Sequence, residues 1–217
     1  MLFRSAWDCA TGSGQAAVGL ASRFERVIAT DASAAQIAAA ARHPRVEYHV
    51  APAEASGLES GSVDLATVAQ ALHWLDRSAF YAEVRRVLRP DGFVAVWTYG
   101  HPTLDEARAD EALRRFYSET VGPFWPPERV LVDAGYRTLD FPFAEVAPPA
   151  FEMKTQWSLS ALLGYVGTWS STTRFRETHG TDPVVALARE LAPAWGDPET
   201  RRRITWPLAL RVGRGHP

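Results

Sequence analysis

The sequence predicts an α/β fold in which a doubly wound, mainly parallel β-sheet carries helices on both faces. Short apolar segments alternate with helical patterns along residues 1–100. The apolar segments are nearly continuous, as in strands that are buried on both faces. The 217 residues, 47% of them apolar, suit one domain with a full hydrophobic core.

Five strands are predicted in this first part of the chain, because five apolar runs are bounded by turn residues or by helical patterns. The predicted strands are Phe3 to Cys9, Val27 to Thr30, Val46 to Val50, Val63 to Ala69 and Phe93 to Trp97. Helices are predicted between them at Gln15 to Phe24, 34–41 and 78–88, and a turn is predicted at Pro90-Asp91-Gly92.

The pattern changes after Tyr99, where an amphipathic helix is predicted at 105–120 and proline-rich segments follow. We expect one domain over residues 1–217, with a core at 1–100, an insertion or cap at 101–150 and a remainder at 151–217 that completes the sheet. The remaining predicted elements are a strand at Phe151 to Trp157, helices at Leu159 to Trp169 and Pro183 to Leu191, and a last strand at Ile204 to Val212.

Composition excludes several classes of protein. The formal charge is -2, with 23 Lys and Arg against 25 Asp and Glu, whereas a dedicated nucleic-acid binder usually has a basic excess. Cys9 is the single cysteine, so neither an intrachain disulfide nor a cysteine-rich zinc site can form, and no histidine motif suggests a metal. Without a membrane-length apolar run or a signal-peptide pattern, the expected location is the cytoplasm.

A strand, a glycine turn and a helix in succession form the strongest local signal. Gly12 and Gly14 allow a ligand to approach the backbone closely, and Asp31 ends the next strand, where a carboxylate can accept both hydroxyls of a ribose. This pattern predicts a nucleoside cofactor, and it also fits the dinucleotide motif G-x-G-x-x-A. Asp8 argues against a pyrophosphate and favours a cationic sulfonium ligand.

Five segments occur in an informative order: Trp7 to Gln15, Asp31, Ala53-Glu54, Ser62 to Leu65 with Gln70 to Trp74, and Arg86 to Gly92. Together they resemble the motifs of class I S-adenosylmethionine-dependent methyltransferases. The resemblance is closest to the branch that includes trans-aconitate methyltransferases and related small-molecule enzymes, and Thr168 to Ser170 and Trp206-Pro207 also resemble that branch.

The resemblance implies a Rossmann-like, seven-stranded mixed sheet whose last strand is antiparallel beside the fifth. It implies S-adenosylmethionine as cofactor and methyl transfer to a small-molecule acceptor, with a carboxylate as one candidate because it needs no general base. The residues implied to bind the cofactor are Asp8, Ala10, Thr11, Gly12, Gly14, Gln15, Asp31, Ala32, Ala53, Glu54, Gln70 and Ala71.

The acceptor is expected at the carboxyl edge of the sheet, where ligands bind in open α/β folds. His73 is the candidate catalytic base, although a histidine beside a tryptophan is more often a packing residue. The candidate acceptor-binding residues, some of which should instead fill the core, are His73, Trp74, Trp97, Tyr99, Trp125 and Trp169. We expect no nucleic-acid or membrane partner, and a monomer or a weak homodimer.

Two departures from the family pattern leave alternatives open. Ala10 stands where most members have glycine, and only a few residues precede the first strand, where members usually carry a helix that closes over the cofactor. A truncated start would leave a cofactor-binding protein without turnover. A nicotinamide-dependent oxidoreductase is a weaker alternative, because the sequence lacks a Tyr-x-x-x-Lys pair.

Overall fold

The computed structural model describes residues 3–215, which form β-strands and α-helices joined mostly by short connections. They form two compact units. The first unit holds residues 3–98, 134–150 and 209–215, and the second holds residues 99–133 and 151–208.

The described residues contain nine strands and eight α-helices. The strands are β1 (Phe3–Cys9), β2 (Phe24–Asp31), β3 (Val46–Val50), β4 (Val63–Ala69), β5 (Leu88–Tyr99), β6 (Thr103–Leu104), β7 (Ala144–Val146), β8 (Phe151–Trp157) and β9 (Arg202–Arg214). The helices are α1 (Gln15–Leu20), α2 (Ala34–Ala39), α3 (Arg77–Val87), α4 (Ala107–Arg115), α5 (Arg129–Asp133), α6 (Leu159–Gly167), α7 (Ser170–His179) and α8 (Pro183–Trp195). Short 3₁₀ turns cover Leu72–Trp74 and Gly122–Phe124.

The sheet of the first unit has the strand order β3-β2-β1-β4-β5-β9, and β1 to β5 are parallel. The N–H of Gly215 donates to the carbonyl of Gly92 at 2.9 Å, so the end of β9 meets the start of β5, as in antiparallel strands. The order reverses between β1 and β4, which is where open α/β sheets form their ligand crevice. Cys9 at the end of β1 pairs with both Thr30 and Val68, so β1, β2 and β4 end within about one residue of each other at this crevice.

Small side chains bring α1 close to the sheet in the first unit. Ala17 and Ala21 are buried against Phe24, Val27 and Ala29 of β2. Because the alanine side chain is small, the helix packs close to the strands. The turn before the helix is therefore held at the end of β1.

The second unit is built around the first half of β9, to which β6 and β8 pair antiparallel. Its core contains Leu113 of α4, Leu162 of α6, Leu191 and Trp195 of α8, and Ile204 of β9. The predicted start of α8 is confirmed. Asp182 accepts a hydrogen bond from the Val184 N–H at 3.0 Å, and proline occupies the first helical position.

The predicted α/β fold with a mixed sheet is confirmed, and the predicted bounds of β1, β3, β4 and β8 agree with the structure. Among residues 3–215, seven strands lie on the main path of the sheet, as expected, and β7 and β8 pair with β9 off that path. The two strands that the sequence did not predict, β6 and β7, have only 2 and 3 residues. Strands this short carry no readable periodicity.

Several predicted helices and turns were wrong in extent. Helix α1 ends at Leu20, because Phe24 already begins β2. The turn expected at Pro90 to Gly92 is extended chain within β5. The helix expected at 105–120 is α-helical only to Arg115 and continues as a wider π-helical turn, Phe116–Thr120. Helices α5 and α7 were not predicted.

Candidate functional site

The turn between β1 and α1 has left-handed backbone at three alternate residues, Ala10, Gly12 and Gly14. Its Thr11 N–H donates to the Thr30 carbonyl at 2.9 Å, which ties the turn to β2. A side chain at Gly12 would meet nothing closer than 3.9 Å, so the space beside this residue is open. A side chain at Gly14 would lie 2.1 Å from the Tyr48 hydroxyl, so glycine is required there for packing.

Ala10 adopts a left-handed backbone with φ +53°. Because a β-carbon disfavours positive φ, an alanine at this position would be expected to have an ordinary conformation or to shift the loop. Instead, alanine keeps the conformation that a glycine would take, because the N–H groups of Thr11 and Gly12 hold the turn on Thr30 and Asp31 of β2. This conformation costs a residue with a β-carbon about 1 kcal/mol.

Asp31 is held in one orientation at the end of β2. One carboxylate oxygen accepts from the Gly12 N–H at 2.9 Å, and the other accepts from the Ser33 N–H at 2.8 Å. The side chain is half-buried. Since a carboxylate has about four acceptor positions, two remain for other donors.

Asp8 is fully buried at the end of β1. It accepts hydrogen bonds from the hydroxyls of Thr11 at 2.5 Å and Thr67 at 2.8 Å. Burial raises the pKa of Asp8 to about 6, against the lowering effect of these two hydroxyls, and the nearby Asp31 adds to the rise. When Asp8 is ionised, the site therefore contains a buried negative charge that is poorly solvated. A neighbouring cation would stabilise it.

The other residues predicted to bind the cofactor also lie in the first unit. Ala53 is buried and Glu54 is exposed in the connection after β3, while Ala32 is exposed after β2. Gln70 has φ +56°, and its N–H donates to the Trp97 carbonyl at 2.9 Å. The left-handed backbone of Gln70 thus turns the chain from the end of β4 into Ala71 and the following 3₁₀ turn.

His73 lies in that 3₁₀ turn and is buried, with 9% of its surface exposed. Its Nδ1 is 2.7 Å from the hydroxyl of Tyr136. Trp74 is 58% exposed, and its ring centroid lies 4.7 Å from that of His73. An oriented imidazole and an exposed indole therefore stand side by side at the carboxyl edge of the sheet.

The predicted acceptor-binding aromatics fall in both units. Trp97 is half-buried in β5 of the first unit. Tyr99, Trp125 and Trp169 belong to the second unit, where Trp169 is 8% exposed and the other two pack against the core of that unit. The expectation that some of these rings fill a core therefore holds for Trp169.

Comparison with known proteins identifies the family. Residues 7–96 match the methyltransferase domain family. A candidate methyltransferase from Dictyostelium discoideum is 34% identical over 190 residues, which cover 87% of this chain and 72% of that protein. The chain belongs to the class I S-adenosylmethionine-dependent methyltransferases.

A solved structure and a yeast relative of this methyltransferase agree with that assignment. The structure of a candidate type II methyltransferase from Anaeromyxobacter dehalogenans has a TM-score of 0.93 and 51% identity, covering 98% of this chain and 90% of that one. The Saccharomyces cerevisiae protein CRG1, a candidate S-adenosylmethionine-dependent methyltransferase, is 30% identical over 122 residues, which cover 52% of this chain and 41% of CRG1.

The cofactor of this methyltransferase is S-adenosylmethionine, as the sequence predicted. The finer resemblance to trans-aconitate methyltransferases stays a prediction. Within residues 3–215 of the methyltransferase, every helix is too short or too polar to span a bilayer.

Sequence reasoning missed two residues of this methyltransferase. Tyr136, the partner of His73, lies 63 residues further along the chain and has φ +59°. His101 of the second unit packs on Tyr117, with ring centroids 4.6 Å apart. Neither residue belongs to a recognisable motif, so only the folded chain brings them to their partners.

Proposed function

We propose that this chain transfers a methyl group from S-adenosylmethionine to a small-molecule acceptor, and that the residues around the β1–α1 turn bind the cofactor. The observation that carries the proposal is the oriented, half-exposed Asp31 carboxylate beside the open space at Gly12. Bound S-adenosylmethionine would supply an activated methyl group on a positively charged sulfur.

The residues of the turn fit this cofactor. The two free acceptor positions of Asp31 suit a pair of ribose hydroxyls, because each hydroxyl can donate one hydrogen bond. The buried charge of Asp8 suits a cationic ligand. Gln15, Ala32, Ala53, Glu54, Gln70 and Ala71 would complete the binding surface around the turn.

His73 and Trp74 would contact the acceptor in the first unit. The Tyr136 hydroxyl fixes the imidazole of His73, so the ring is oriented before any ligand arrives. The exposed Trp74 offers an apolar face. If the acceptor loses a proton on methylation, His73 is the group in the first unit that would accept it, whereas a carboxylate acceptor would need no base.

Calorimetric titration with S-adenosylhomocysteine tests the cofactor assignment, with NAD as the parallel ligand. We expect micromolar binding of the first and none of the second. D31A should weaken binding by about 1–3 kcal/mol, the scale of hydrogen bonds to a charged group. E25A is the matched control, because Glu25 is exposed near the opposite end of the same strand.

The outcomes separate the alternatives. Equal binding by D31A and the unchanged chain would remove Asp31 from the site. Binding of NAD alone would overturn the proposal. Binding of S-adenosylhomocysteine without methylation of any acceptor in a broad screen would favour a binding protein without turnover.

A further inference from the structure

Strand β3 lies at the edge of the sheet in the first unit. Among the strands that the structure describes, only β2 pairs with it. Glu47 and His49 are exposed on this strand, and Val50 is 56% exposed. Edge strands usually carry a lysine, a proline or a bulge that prevents pairing with another chain. The segment Val46–Val50 has no lysine or proline, and its register with β2 is regular.

The hydrogen bonds to β2 decide which backbone groups of β3 face outward. The Arg45 carbonyl and the Ala51 N–H both bond to β2, with N···O distances of 2.8 and 3.0 Å. Successive residues of a strand point their N–H and C=O groups to opposite sides, so the odd-numbered residues face β2. Val46, Tyr48 and Val50 therefore face the free side. The N–H of Val46 is bonded within its own turn, and the other outward groups of these three residues have no backbone partner within residues 3–215.

The sequence of β3 is complementary to itself when a second copy runs in the opposite direction. With Tyr48 opposite Tyr48 of the second copy, Val46 lies opposite Val50, and Glu47 lies opposite His49. This register agrees with the backbone, because it sets the outward-facing residues of one copy against those of the other. β-Branched pairs and pairs of opposite charge stabilise a sheet when they lie directly across two antiparallel strands.

Glu47 is held in a position that suits this pairing. Its two carboxylate oxygens accept from the Arg26 guanidinium at 2.8 and 2.7 Å, and the His49 imidazole lies 4.0 Å away. A carboxylate has about four acceptor positions, so further donors can bind. An imidazole N–H of a second copy is such a donor in both the neutral and the charged ring. A two-fold axis repeats each contact, so this pair would form twice.

A second copy fits this edge better than an unrelated extended peptide. A peptide that adds to a sheet edge takes its specificity from pockets for alternate side chains. Here the exposed side chains of β3 are matched by the same strand in reverse. The formal charge of -2 also leaves little general repulsion between copies.

We propose that β3 mediates a two-fold symmetric homodimer, in which the sheets of two copies join edge to edge with Tyr48 at the axis. Because only five residues of each chain form the strand contact, the dimer is expected to be weak and to form at high protein concentration. The inference is independent of the proposed methyl transfer, since it uses no residue assigned to the cofactor or the acceptor.

Cysteine pairs test the register of this dimer. Positions 47 and 49 of opposite copies would form a pair without mutual hydrogen bonds, with Cα atoms about 4.5 Å apart. A disulfide can span this separation. E47C and H49C chains are mixed at pH 7.5 with oxidised glutathione, and dimers are followed by non-reducing gel electrophoresis. We expect the mixture to cross-link about tenfold faster than either variant alone. The natural Cys9 is buried and adds little background.

E111C mixed with H49C is the matched control for random collisions, because Glu111 is exposed on α4. Thermal melts verify that each variant is folded. General association through exposed apolar side chains would not distinguish positions 47 and 49. A mixture of E47C and H49C that cross-links no faster than the control, or no faster than E47C alone, would overturn the proposal.

H49E tests the pairing of charges. It sets two glutamates opposite each other at both ends of the contact, and it should raise the dissociation constant of the dimer about tenfold. H179E makes the same change of charge at an exposed histidine of α7 and should leave the dissociation constant unchanged. Sedimentation velocity at pH 7.5 measures both variants over a concentration series. An unchanged chain that remains monomeric throughout, or a dimer that H49E does not weaken more than H179E, would contradict the proposal.

Discussion

The carboxyl group of Asp8 is held where burial disfavours its charged form. The carboxyl group has no exposed surface, and it accepts hydrogen bonds from the hydroxyls of Thr11 and Thr67 and from the backbone of Ala17. With a pKa of about 6, it is mostly ionised at neutral pH in spite of its burial. A positively charged ligand beside it would recover part of that cost.

D8N should stabilise the ligand-free protein at pH 7.5 by up to roughly 3 kcal/mol. The pKa rises from 3.8 in the unfolded chain to about 6 in the folded one, so the folded protein binds more protons between these values. The contribution of Asp8 to stability therefore falls as pH rises through this window. Urea denaturation at pH 4 and pH 7.5 measures the effect, with D91N, an exposed aspartate, as control. An equal gain at both pH values would contradict this explanation.

A10G should increase the free energy of unfolding by about 1 kcal/mol, because glycine adopts φ +53° without steric cost. The control is A16G. Ala16 lies in helix α1, so this variant should lower the free energy of unfolding by about 1 kcal/mol. Denaturant unfolding compares the two. Similar losses in both variants would show that the turn does not strain Ala10.

At the scale of elements, the connection from β3 to β4 is unusual, because residues 51–62 contain no helix although the two strands are parallel members of one sheet. The connection is held instead by Glu83 of α3. This carboxylate accepts from the Ser56 N–H at 2.9 Å and from Arg86 at 2.7 Å. The Arg86 and Ser56 hydrogen bonds lower the pKa of Glu83 to about 2.

E83Q should lose about 2 kcal/mol of stability at neutral pH, the scale of hydrogen bonds to a charged group. Because the pKa of Glu83 is depressed from 4.5 to about 2, its contribution is present above 4.5 and is lost as pH falls towards 2. The difference between E83Q and the unchanged chain should shrink across that range in thermal melts. E111Q, on the exposed face of α4, is the control. A difference independent of pH would assign the effect to packing.

The elements also show what the sequence could predict. Strands β3 and β4 were predicted to the residue because apolar residues recur in both between clear flanks. Helix α7 was missed because its first four residues are Ser and Thr, which are weak helix formers, and only Gly180 marks its end. Asp31 and Gly12 were predicted because they follow strands in a local motif, and the structure joins them by one hydrogen bond. Tyr136 and His101 depend on contacts between distant segments, which no local pattern encodes.

For the whole molecule, the balance of charge governs its behaviour in solution. The formal charge is only -2, and the sequence isoelectric point is about 6.3. Repulsion between copies is therefore weak just below neutral pH. Apolar side chains such as Phe151, at 51% exposure, and Val130, at 67%, are then free to make contacts.

Self-association should be strongest near pH 6.3 and should weaken at pH 8.5, where the chain carries more negative charge. Sedimentation velocity over a concentration series at both pH values measures this, and it tests the expected monomer or weak dimer. F151S should reduce the association, while L58S, outside this apolar set, serves as control. A stable dimer that is indifferent to pH would show a specific interface instead.

Within residues 3–215, three residues other than glycine have left-handed backbone, Ala10, Gln70 and Tyr136, and they have a consequence for protein engineering. At each of them glycine would relieve conformational cost. Only Ala10 has no side-chain bond to lose, whereas Gln70 accepts from Thr98 and Tyr136 contacts His73. A library selected for folding alone should therefore enrich glycine at position 10, and one selected for turnover should reject it at positions 70 and 136. We therefore expect these positions to be ones at which selection for stability and selection for activity favour different residues.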